Sequence, residues 1–369
     1  MSIEDALGDV VAVRGKRLAE SGIYAVPGSG NQLGTRTDDA VPGSVPLMRE
    51  PGTDDEKPLC VDISAMLDGT VPEPPEPVLL GRSDGRKLFY AGQVNLLFGD
   101  PESGKTWVCL ACAVEALQAG RRVLVVDLDH NGPQSTVYRL IALGAPQDRL
   151  RDPNVFRYCE PEDRLELRQV VADSLEWRPA VAVVDSIGEL LPMHGANTNS
   201  ADEFTTVHSN VLKPLAKAGA AVLAVDHLAK GADSRAHGPG GTAAKRRAVG
   251  GVSLRVKATK AFTPGHGGEA VLCINKDRHG GVRAHCPIGD REPVAGAFKL
   301  LAFNDGILEW SLTAPTDGER NPDETAPDED VAAIDTLDPP PTTVDDARER
   351  LGWRKQRTAH AMRAWRHQQ

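Results

Sequence analysis

The stretch from Gln93 to Cys112 constrains the fold of this chain more than any other. It reads Q-V-N-L-L-F-G-D-P-E-S-G-K-T-W-V-C-L-A-C. A short apolar run ends at Gly99, and a glycine-containing loop then leads into a second apolar stretch. The loop fits the pattern G-x-x-x-x-G-K-[ST], in which backbone N–H groups and a lysine surround a phosphate. The pattern predicts a strand, a phosphate-binding loop and a helix in this order, and it predicts a bound nucleoside triphosphate.

The residue types in this loop suit a triphosphate together with a divalent cation. Glycines let the backbone curl, and the N-terminal end of the following helix favours negative charge. We expect Lys105 to reach the β- and γ-phosphates of the triphosphate and the Thr106 hydroxyl to bind Mg²⁺. The alternative is a glycine-rich turn with a solvated lysine. The predicted nucleotide-binding residues are Gly99, Asp100, Pro101, Glu102, Ser103, Gly104, Lys105 and Thr106.

The composition limits how much of the chain can form a core. The 369 residues include 36 Gly and 27 Pro, and only 4% are aromatic, so the compact part is expected to be smaller than the length suggests. A formal net charge of −10 argues against a protein that coats nucleic acid with its whole surface. The sequence shows neither a signal peptide nor an apolar run long enough to span a membrane. We therefore expect no membrane contact and a cytoplasmic location.

Proline-rich and acidic tracts divide the chain into four segments. Residues 1–57 are rich in small and polar residues, and we expect them to be mostly disordered. Residues 58–313 carry the apolar strands and helices of the predicted ATPase domain. Residues 314–341 are an acidic, Pro-rich linker that charge repulsion is expected to keep extended. Residues 342–369 form a basic helical tail.

The main segment has the alternating pattern of an α/β protein. Apolar strands alternate with helices of roughly ten to fifteen residues, which is typical of a mostly parallel, doubly wound sheet. After Gly251 the segments become rich in strand residues, and we expect these strands to extend the sheet in an antiparallel direction. We also expect the strand that leads to Asp129 to lie next to the strand that leads to Gly99.

Two acids and a histidine follow other apolar strands. Asp185 follows V-A-V-V and is placed to hold the metal; the alternative is an acid that caps the next segment. Asp129, which is nearer the strand tip than Asp127, is our candidate for the general base that activates water; the alternative is a loop acid without this role. His227 ends the strand A-V-D-H and is either a sensor of the γ-phosphate or a hydrogen-bonded core histidine.

Basic side chains are concentrated between Lys230 and Lys260, where eight Lys and Arg residues accompany a single acid. In an acidic chain, such a glycine-rich segment suits contact with DNA phosphates. It lacks aromatic residues, so we expect electrostatic binding rather than base stacking. The alternative is a solvated basic loop. The predicted DNA contacts are Lys230, Arg235, Lys245, Arg246 and Arg247.

The run I-N-K-D-R-H-G places Lys276 and Arg278 two residues apart near a strand end, so their side chains project to the same side. Two such cations are candidates for a finger that reaches the nucleotide of a neighbouring subunit. The alternative is a pair of surface charges on an edge strand.

The tail has the pattern of two helices separated by a turn at Gly352, and the second helix is basic. This pattern resembles a helix-turn-helix that binds DNA. A helical hairpin that docks on another protein is the alternative.

These motifs together resemble those of the RecA-fold P-loop ATPases and, among the AAA family ATPases, the RepA-like hexameric helicase group. V-V-D-S at Asp185 resembles the Walker B segment, and V-D-L-D-H resembles the segment that carries the catalytic acid, with Asp129 as a shorter acid. D-H-L-A-K resembles the sensor strand, and N-K-D-R-H-G is similar to the finger of ring helicases. The resemblance covers about residues 78–312.

The resemblance implies an ATPase that hydrolyses Mg-ATP, binds single-stranded DNA and assembles as a ring or filament. Our leading hypothesis is a helicase-like motor of DNA replication, with a replication-protein partner recruited by the tails. The alternatives are a nucleotide-switched DNA-binding or loading factor and a recombinase-like filament protein.

Overall fold

The structure, a computed structural model, describes residues 60, 62–69, 71, 73–228, 238–303, 307–322, 326 and 328–368. The expectation for residues 1–57 lies outside these residues. The chain divides into two compact units, Met1–Gly69 and Thr70–Gln369. In the described part of the first unit, helix α1 spans Ile63–Leu67.

The second unit contains a two-stranded and a nine-stranded sheet. Strands β1 (Leu79–Gly81) and β2 (Lys87–Phe89) form the small antiparallel sheet. The strands of the large sheet are β3 (Val94–Gly99), β4 (Val123–Asp127), β5 (Phe156–Cys159), β6 (Val181–Asp185), β7 (Ala221–His227), β8 (Val252–Thr263), β9 (Gly267–Asp277), β10 (Val294–Ala302) and β11 (Leu308–Thr313).

The spatial order of the large sheet is β11-β10-β9-β8-β3-β7-β6-β4-β5. Strands β8, β3, β7, β6, β4 and β5 pair in parallel, whereas β9, β10 and β11 continue from β8 in antiparallel pairs. The predicted α/β fold, a mostly parallel sheet extended by antiparallel strands near its C-terminal end, is confirmed. It is consistent with a P-loop NTPase.

Helices cover both faces of the sheet because the central strands are apolar on both sides. Leu97 of β3 packs into one hydrophobic core, whereas its neighbours Leu96 and Phe98 pack into the other. The helices are α2 (Lys105–Gln118), α3 (Pro133–Ala142), α4 (Gln147–Arg151), α5 (Arg164–Trp177), α6 (Ile187–Met193), α7 (Ala201–Asn210), α8 (Leu212–Lys217), α9 (Ala244–Ala248), α10 (Asp328–Asp335), α11 (Val344–Leu351) and α12 (Lys355–Gln368), with a short 3-10 helix at Arg283–His285. No helix in these described ranges is long and apolar enough to cross a membrane.

One expectation about strand neighbours is wrong. Strand β4, which leads to Asp129, lies between β6 and β5, whereas β3 lies between β7 and β8. Two strands that come later in the chain, β6 and β7, are inserted between β3 and β4. Residue patterns predict that a strand is buried, but they do not fix which buried strand is its neighbour.

The predicted acidic linker also differs in part from the expectation. Its residues Asp328–Asp335 form α10, which buries Val331 and Ile334 against Ala361 and Met362 of α12. Apolar burial therefore outweighs the charge repulsion that was expected to keep these residues extended.

Candidate functional site

The loop between β3 and α2 is shaped by two glycines. Gly104 has a φ of 94°, in the left-handed region that side chains other than that of glycine rarely adopt. A Cβ atom on Gly104 would also lie 2.4 Å from the ring of Phe262 in β8. A Cβ atom on Gly99 would lie 2.3 Å from the carbonyl oxygen of Val256. Both positions therefore require glycine, which agrees with the predicted phosphate-binding loop.

Two polar groups in this loop suit a phosphate ligand. The buried Ser103 Oγ has no hydrogen-bond partner among the described residues. Lys105 is only 5% exposed, and its Nζ donates to the carbonyl oxygens of Gly99 at 3.2 Å and Asp100 at 2.6 Å. Burial lowers the pKa of Lys105, and the nearby Asp185 opposes this shift. Ionised phosphate oxygens accept stronger hydrogen bonds than carbonyl oxygens, so a triphosphate would compete well for Lys105.

The predicted metal ligands lie together at the start of α2 and the end of β6. Thr106 Oγ1 donates a hydrogen bond of 2.8 Å to Asp185 Oδ2. A hydroxyl and a carboxylate are the hard oxygen ligands that Mg²⁺ prefers, and phosphates and water usually complete its coordination. Over the described ranges, no group of three or more His, Cys, Asp and Glu side chains is arranged to hold a metal alone. The pair Thr106 and Asp185 therefore fits a Mg²⁺ ion that arrives with a nucleotide.

The electrostatics of Asp185 follow from its burial. Burial and, to a smaller extent, the neighbouring carboxylates Asp129 and Asp127 raise the pKa of this carboxyl to about 6. The Thr106 hydroxyl and Lys105 oppose the shift. A cation bound here would remove the cost of the buried negative charge.

The two acids near the end of β4 have different surroundings. Asp127 is buried and accepts hydrogen bonds from Asn131 Nδ2, Gly132 N and the Tyr158 hydroxyl. Asp129 is exposed, and its Oδ1 accepts a hydrogen bond of 2.7 Å from the Ser186 hydroxyl. The peptide bond between Asp185 and Ser186 is cis. The structure thus brings Asp129 beside Asp185, and the role of Asp129 as a general base stays a prediction.

Ser186 and Tyr158 were missed as candidates by sequence reasoning. Ser186 directly follows Asp185 and orients Asp129, so its position after a strand-terminal acid was an available signal. Tyr158 lies on β5, whose contact with Asp127 depends on the strand order.

His227 lies at the end of β7, where it is the register partner of Gly99. Its side chain is exposed, so the alternative of a core histidine is wrong. The position next to the phosphate-binding loop suits a residue that senses the γ-phosphate, which stays a prediction.

The residues predicted to contact DNA differ in whether the structure describes them and in how exposed they are. Lys230 and Arg235 lie outside the described residues. Lys245 is 3% exposed, and its Nζ forms an ion pair of 2.8 Å with the buried Asp226. The prediction that Lys245 contacts DNA is therefore wrong, because a buried carboxylate holds its side chain inside the protein. Arg246 is half-buried and Arg247 is exposed.

The two predicted finger residues bind to their own chain. Lys276 Nζ donates to the carbonyl oxygens of Arg246, Arg247 and Val249, and Arg278 donates to those of Arg247 and Val249. These carbonyls belong to the C-terminal end of α9, where positive charge is favourable. A contact with a neighbouring subunit stays a prediction.

A cavity of about 540 Å³ adjoins the phosphate-binding loop. The Arg139 guanidinium lies 5.5 Å from the centre of the Trp107 ring at its wall. Apolar walls of this kind suit a planar ring such as a nucleobase. Sequence reasoning missed this cavity because its residues come from four separate segments. Its main apolar lining residues are Trp107, Tyr138, Phe262, Leu300, Phe303 and Leu308.

The fold and the geometry of the site are consistent with a P-loop NTPase. Residues 63–233 match the sequence model of a family described as an AAA domain. This match supports an AAA or P-loop ATPase family for that part of the chain, and nucleotide binding with it. Comparison with curated proteins found no match.

Proposed function

We propose that this protein is a Mg-ATP-dependent ATPase that acts on DNA. The observation that carries the ATPase part is the 2.8 Å hydrogen bond between Thr106 and Asp185, with Asp129 beside Asp185. A hydroxyl, a metal-binding acid and a second acid next to a phosphate-binding loop are the groups that phosphoryl transfer to water requires.

Each residue has a defined task in this proposal. Lys105 exchanges its carbonyl partners for phosphate oxygens, and Thr106 and Asp185 hold Mg²⁺, which neutralises phosphate charge when bound. Asp129 accepts a hydrogen bond from the attacking water and takes its proton. The Ser186 hydroxyl keeps Asp129 in position through its hydrogen bond to Oδ1. The apolar cavity beside Trp107 receives the base of the nucleotide.

The proposed action on DNA depends on the basic segment that follows β7. Arg247 is exposed there, and Arg246 is half-buried beside it. The resemblance to the RepA-like hexameric helicases favours a motor that moves along single-stranded DNA during replication. In a chain with a net charge of −10, DNA contact requires such a local concentration of cations.

A second candidate is a nucleotide-switched DNA-binding or loading factor. The observation that favours it is the binding of Lys276 and Arg278 to carbonyls of their own chain. Without a cation supplied in trans, hydrolysis is expected to be slow, which suits a switch better than a motor.

ATP turnover of the Lys105→Ala variant tests the ATPase part. Loss of the ammonium is expected to abolish turnover, because no other side chain is placed to replace it in the phosphate-binding loop. Lys217→Ala, which changes an exposed lysine on α8, is the matched control and should retain full turnover. Equal turnover in the two variants would exclude the proposed site.

ATP hydrolysis and strand separation, measured with and without single-stranded DNA, test the action on DNA. Stimulated hydrolysis with unwinding supports the motor. Stimulated hydrolysis without unwinding supports the loading factor. Hydrolysis that does not respond to DNA rejects both.

A further inference from the structure

The C-terminal helices have a hydrophobic core of their own. Helices α10, α11 and α12 pack around one cluster that is separate from the two cores of the large sheet. Its buried residues are Ala326, Val331, Ile334, Ala347, Ala361 and Met362. Three helices with a shared core give α11 and α12 a fixed relative position, which a two-helix hairpin alone would not have.

The junction of α11 and α12 has the geometry of a helix-turn-helix. Thr343 Oγ1 caps the N-terminus of α11 by accepting a hydrogen bond from Asp346 N. Gly352 ends α11 in the left-handed conformation, with a φ of 64°, and α12 begins at Lys355. A tight turn with a glycine at this place is typical of motifs in which the second helix binds DNA.

Polar contacts fix which face of α12 points inward. The Arg357 guanidinium forms two hydrogen bonds with the Asp330 carboxylate of α10 and lies 4.3 Å from the centre of the Trp353 ring. Trp365 Nε1 donates a hydrogen bond to Asp335 at the end of α10. These contacts and the buried Thr358, on the same side of the helix, hold α12 against its neighbours.

The opposite face of α12 is basic and exposed. Lys355, Arg363 and Arg366 are exposed, and their spacing of eight and three residues places them on one side of the helix. Arg363 donates to the Ala359 carbonyl of the same helix, and Arg366 donates to the Thr342 carbonyl before α11. Arg354 in the turn is also exposed, and residues 352–368 contain no acid. Among the described residues, Arg354 and Lys355 have no hydrogen-bond or ion-pair partner for their side chains.

We propose that this basic face of α12 docks duplex DNA, with α12 in the major groove and Lys355 and Arg363 on backbone phosphates. An α-helix fits the width of the major groove, and the exposed cations complement the phosphates. Stacking of single-stranded bases on this face would need free aromatic side chains. The two tryptophans of the tail are instead occupied by Arg357 and Asp335.

This duplex site is distinct from the basic segment after β7, on which the proposed action on single-stranded DNA depends. An acidic protein surface is the rival occupant of this face. The docking of a duplex would hold the protein on duplex DNA before any turnover occurs.

Binding of the full chain to a fluorescently labelled duplex, measured by anisotropy without nucleotide over a series of salt concentrations, tests the proposal. The variant Lys355→Ala/Arg363→Ala is expected to bind about tenfold more weakly or worse. If both side chains contact phosphates, the slope of log affinity against log salt should fall by about 2 in magnitude. Lys355→Arg keeps the charge and should retain the affinity.

The matched control is Arg164→Ala/Arg168→Ala, which removes two exposed arginines from α5 and changes the net charge equally. It should bind the duplex as the unmodified chain does. Equal duplex affinity of the two double variants would overturn the proposal. Salt-independent or undetectable duplex binding by the unmodified chain would also overturn it and would favour a protein partner.

The outcome does not depend on the proposed ATPase function. Duplex binding is measured without nucleotide, so the Lys105→Ala variant should retain it even though its turnover is lost. Conversely, ATP turnover without DNA should persist in Lys355→Ala/Arg363→Ala, which checks that the ATPase domain is folded.

Discussion

Asp185 shows how the folding of this chain and its proposed chemistry conflict at a single residue. Burial raises the pKa of the Asp185 carboxyl from 3.8 to about 6, so at neutral pH the folded protein carries a buried negative charge. Between these two values the folded state binds a proton more tightly than the unfolded chain does. The free energy of unfolding therefore increases as the pH falls through 6, because the Asp185 carboxyl takes up a proton. It decreases again as the pH rises and this proton is lost.

Replacement of Asp185 with Asn should stabilise the nucleotide-free protein at neutral pH. The amide keeps an oxygen that accepts the Thr106 hydrogen bond but removes the charge, which is worth about 3 kcal/mol in the free energy of unfolding. Thermal unfolding at about pH 7.5 should show a higher Tm for the variant, and the difference should shrink toward about pH 4, where the native carboxyl is protonated.

The same variant should lose Mg²⁺-dependent nucleotide binding, because its amide is a weaker metal ligand than a carboxylate. Gain of stability with loss of binding would show that the buried charge serves a ligand rather than the fold. A lower Tm at neutral pH would contradict the assigned conflict and would indicate that the charge is needed for folding. Asp173→Asn, on the outer side of α5, is an exposed control.

At the scale of elements, the ion pair of Lys245 with Asp226 connects α9 to the end of β7. Both side chains are almost completely buried, at 3% and 4% exposure. Burial raises the pKa of Asp226, and Lys245 opposes that shift. The position of α9, which follows the basic segment, thus depends on a charge pair inside the protein.

Lys245→Ala should cost about 3 to 5 kcal/mol in the free energy of unfolding, because it leaves the Asp226 carboxylate buried without a partner. The cost should decrease as the pH falls, since Asp226 can then take up a proton. Arg247→Ala, at an exposed position of the same helix, should change stability by less than about 0.5 kcal/mol. Chemical denaturation of both variants measures the difference.

The double variant Lys245→Met/Asp226→Leu distinguishes the effect of leaving Asp226 unpaired from the effect of removing the lysine charge. It removes the lysine but leaves no unpaired charge, so it should recover most of the stability. An unchanged stability of Lys245→Ala, together with weaker DNA binding, would instead restore the original expectation of a DNA contact.

The different fates of these elements show what a sequence can predict. Residues 94–118 form the expected strand, loop and helix because their signals are local: an apolar run, two glycines and an apolar helix. Helices α7 and α8 follow each other directly but are not continuous, because Pro214 lacks the N–H that a continuous helix would need. The strand pair β1 and β2 was missed because each strand has only three residues.

The residues of the candidate site could likewise be predicted from the sequence only where the signal is local. Lys105, Thr106 and Asp185 each follow a recognisable local pattern, and the structure brings Thr106 and Asp185 into contact. Lys245 was misjudged because its charge was visible in the sequence, whereas the buried partner Asp226 was defined only by tertiary packing. The cavity beside Trp107 joins residues more than a hundred positions apart, and no local pattern indicates such a contact.

At the scale of the whole molecule, the two candidate finger residues bind carbonyl groups of their own chain. Lys276 and Arg278 together donate to three carbonyl oxygens at the end of α9. Burial and, to a smaller extent, the nearby Arg278 and Arg246 lower the pKa of Lys276 to about 8. Both side chains must leave these carbonyls before they can reach the nucleotide of another subunit. An assembly is therefore required for them to act as a finger.

Mixed subunits test whether two chains share one site. Arg278→Ala retains Asp129, and Asp129→Asn retains Arg278, so each variant alone should be inactive if the finger acts in trans. In a random mixture of equal parts, roughly a quarter of the interfaces combine an intact Asp129 with an intact Arg278, and turnover should recover to about that fraction. ATP hydrolysis measured across a range of mixing ratios should peak at equal parts.

The matched control replaces the second partner with Asp129→Asn/Arg278→Ala, which offers no intact finger and should give no recovery at any ratio. Absence of a peak with the first pair would place Arg278 in its own chain, as a cap of α9, and would favour the nucleotide-switched factor over the motor.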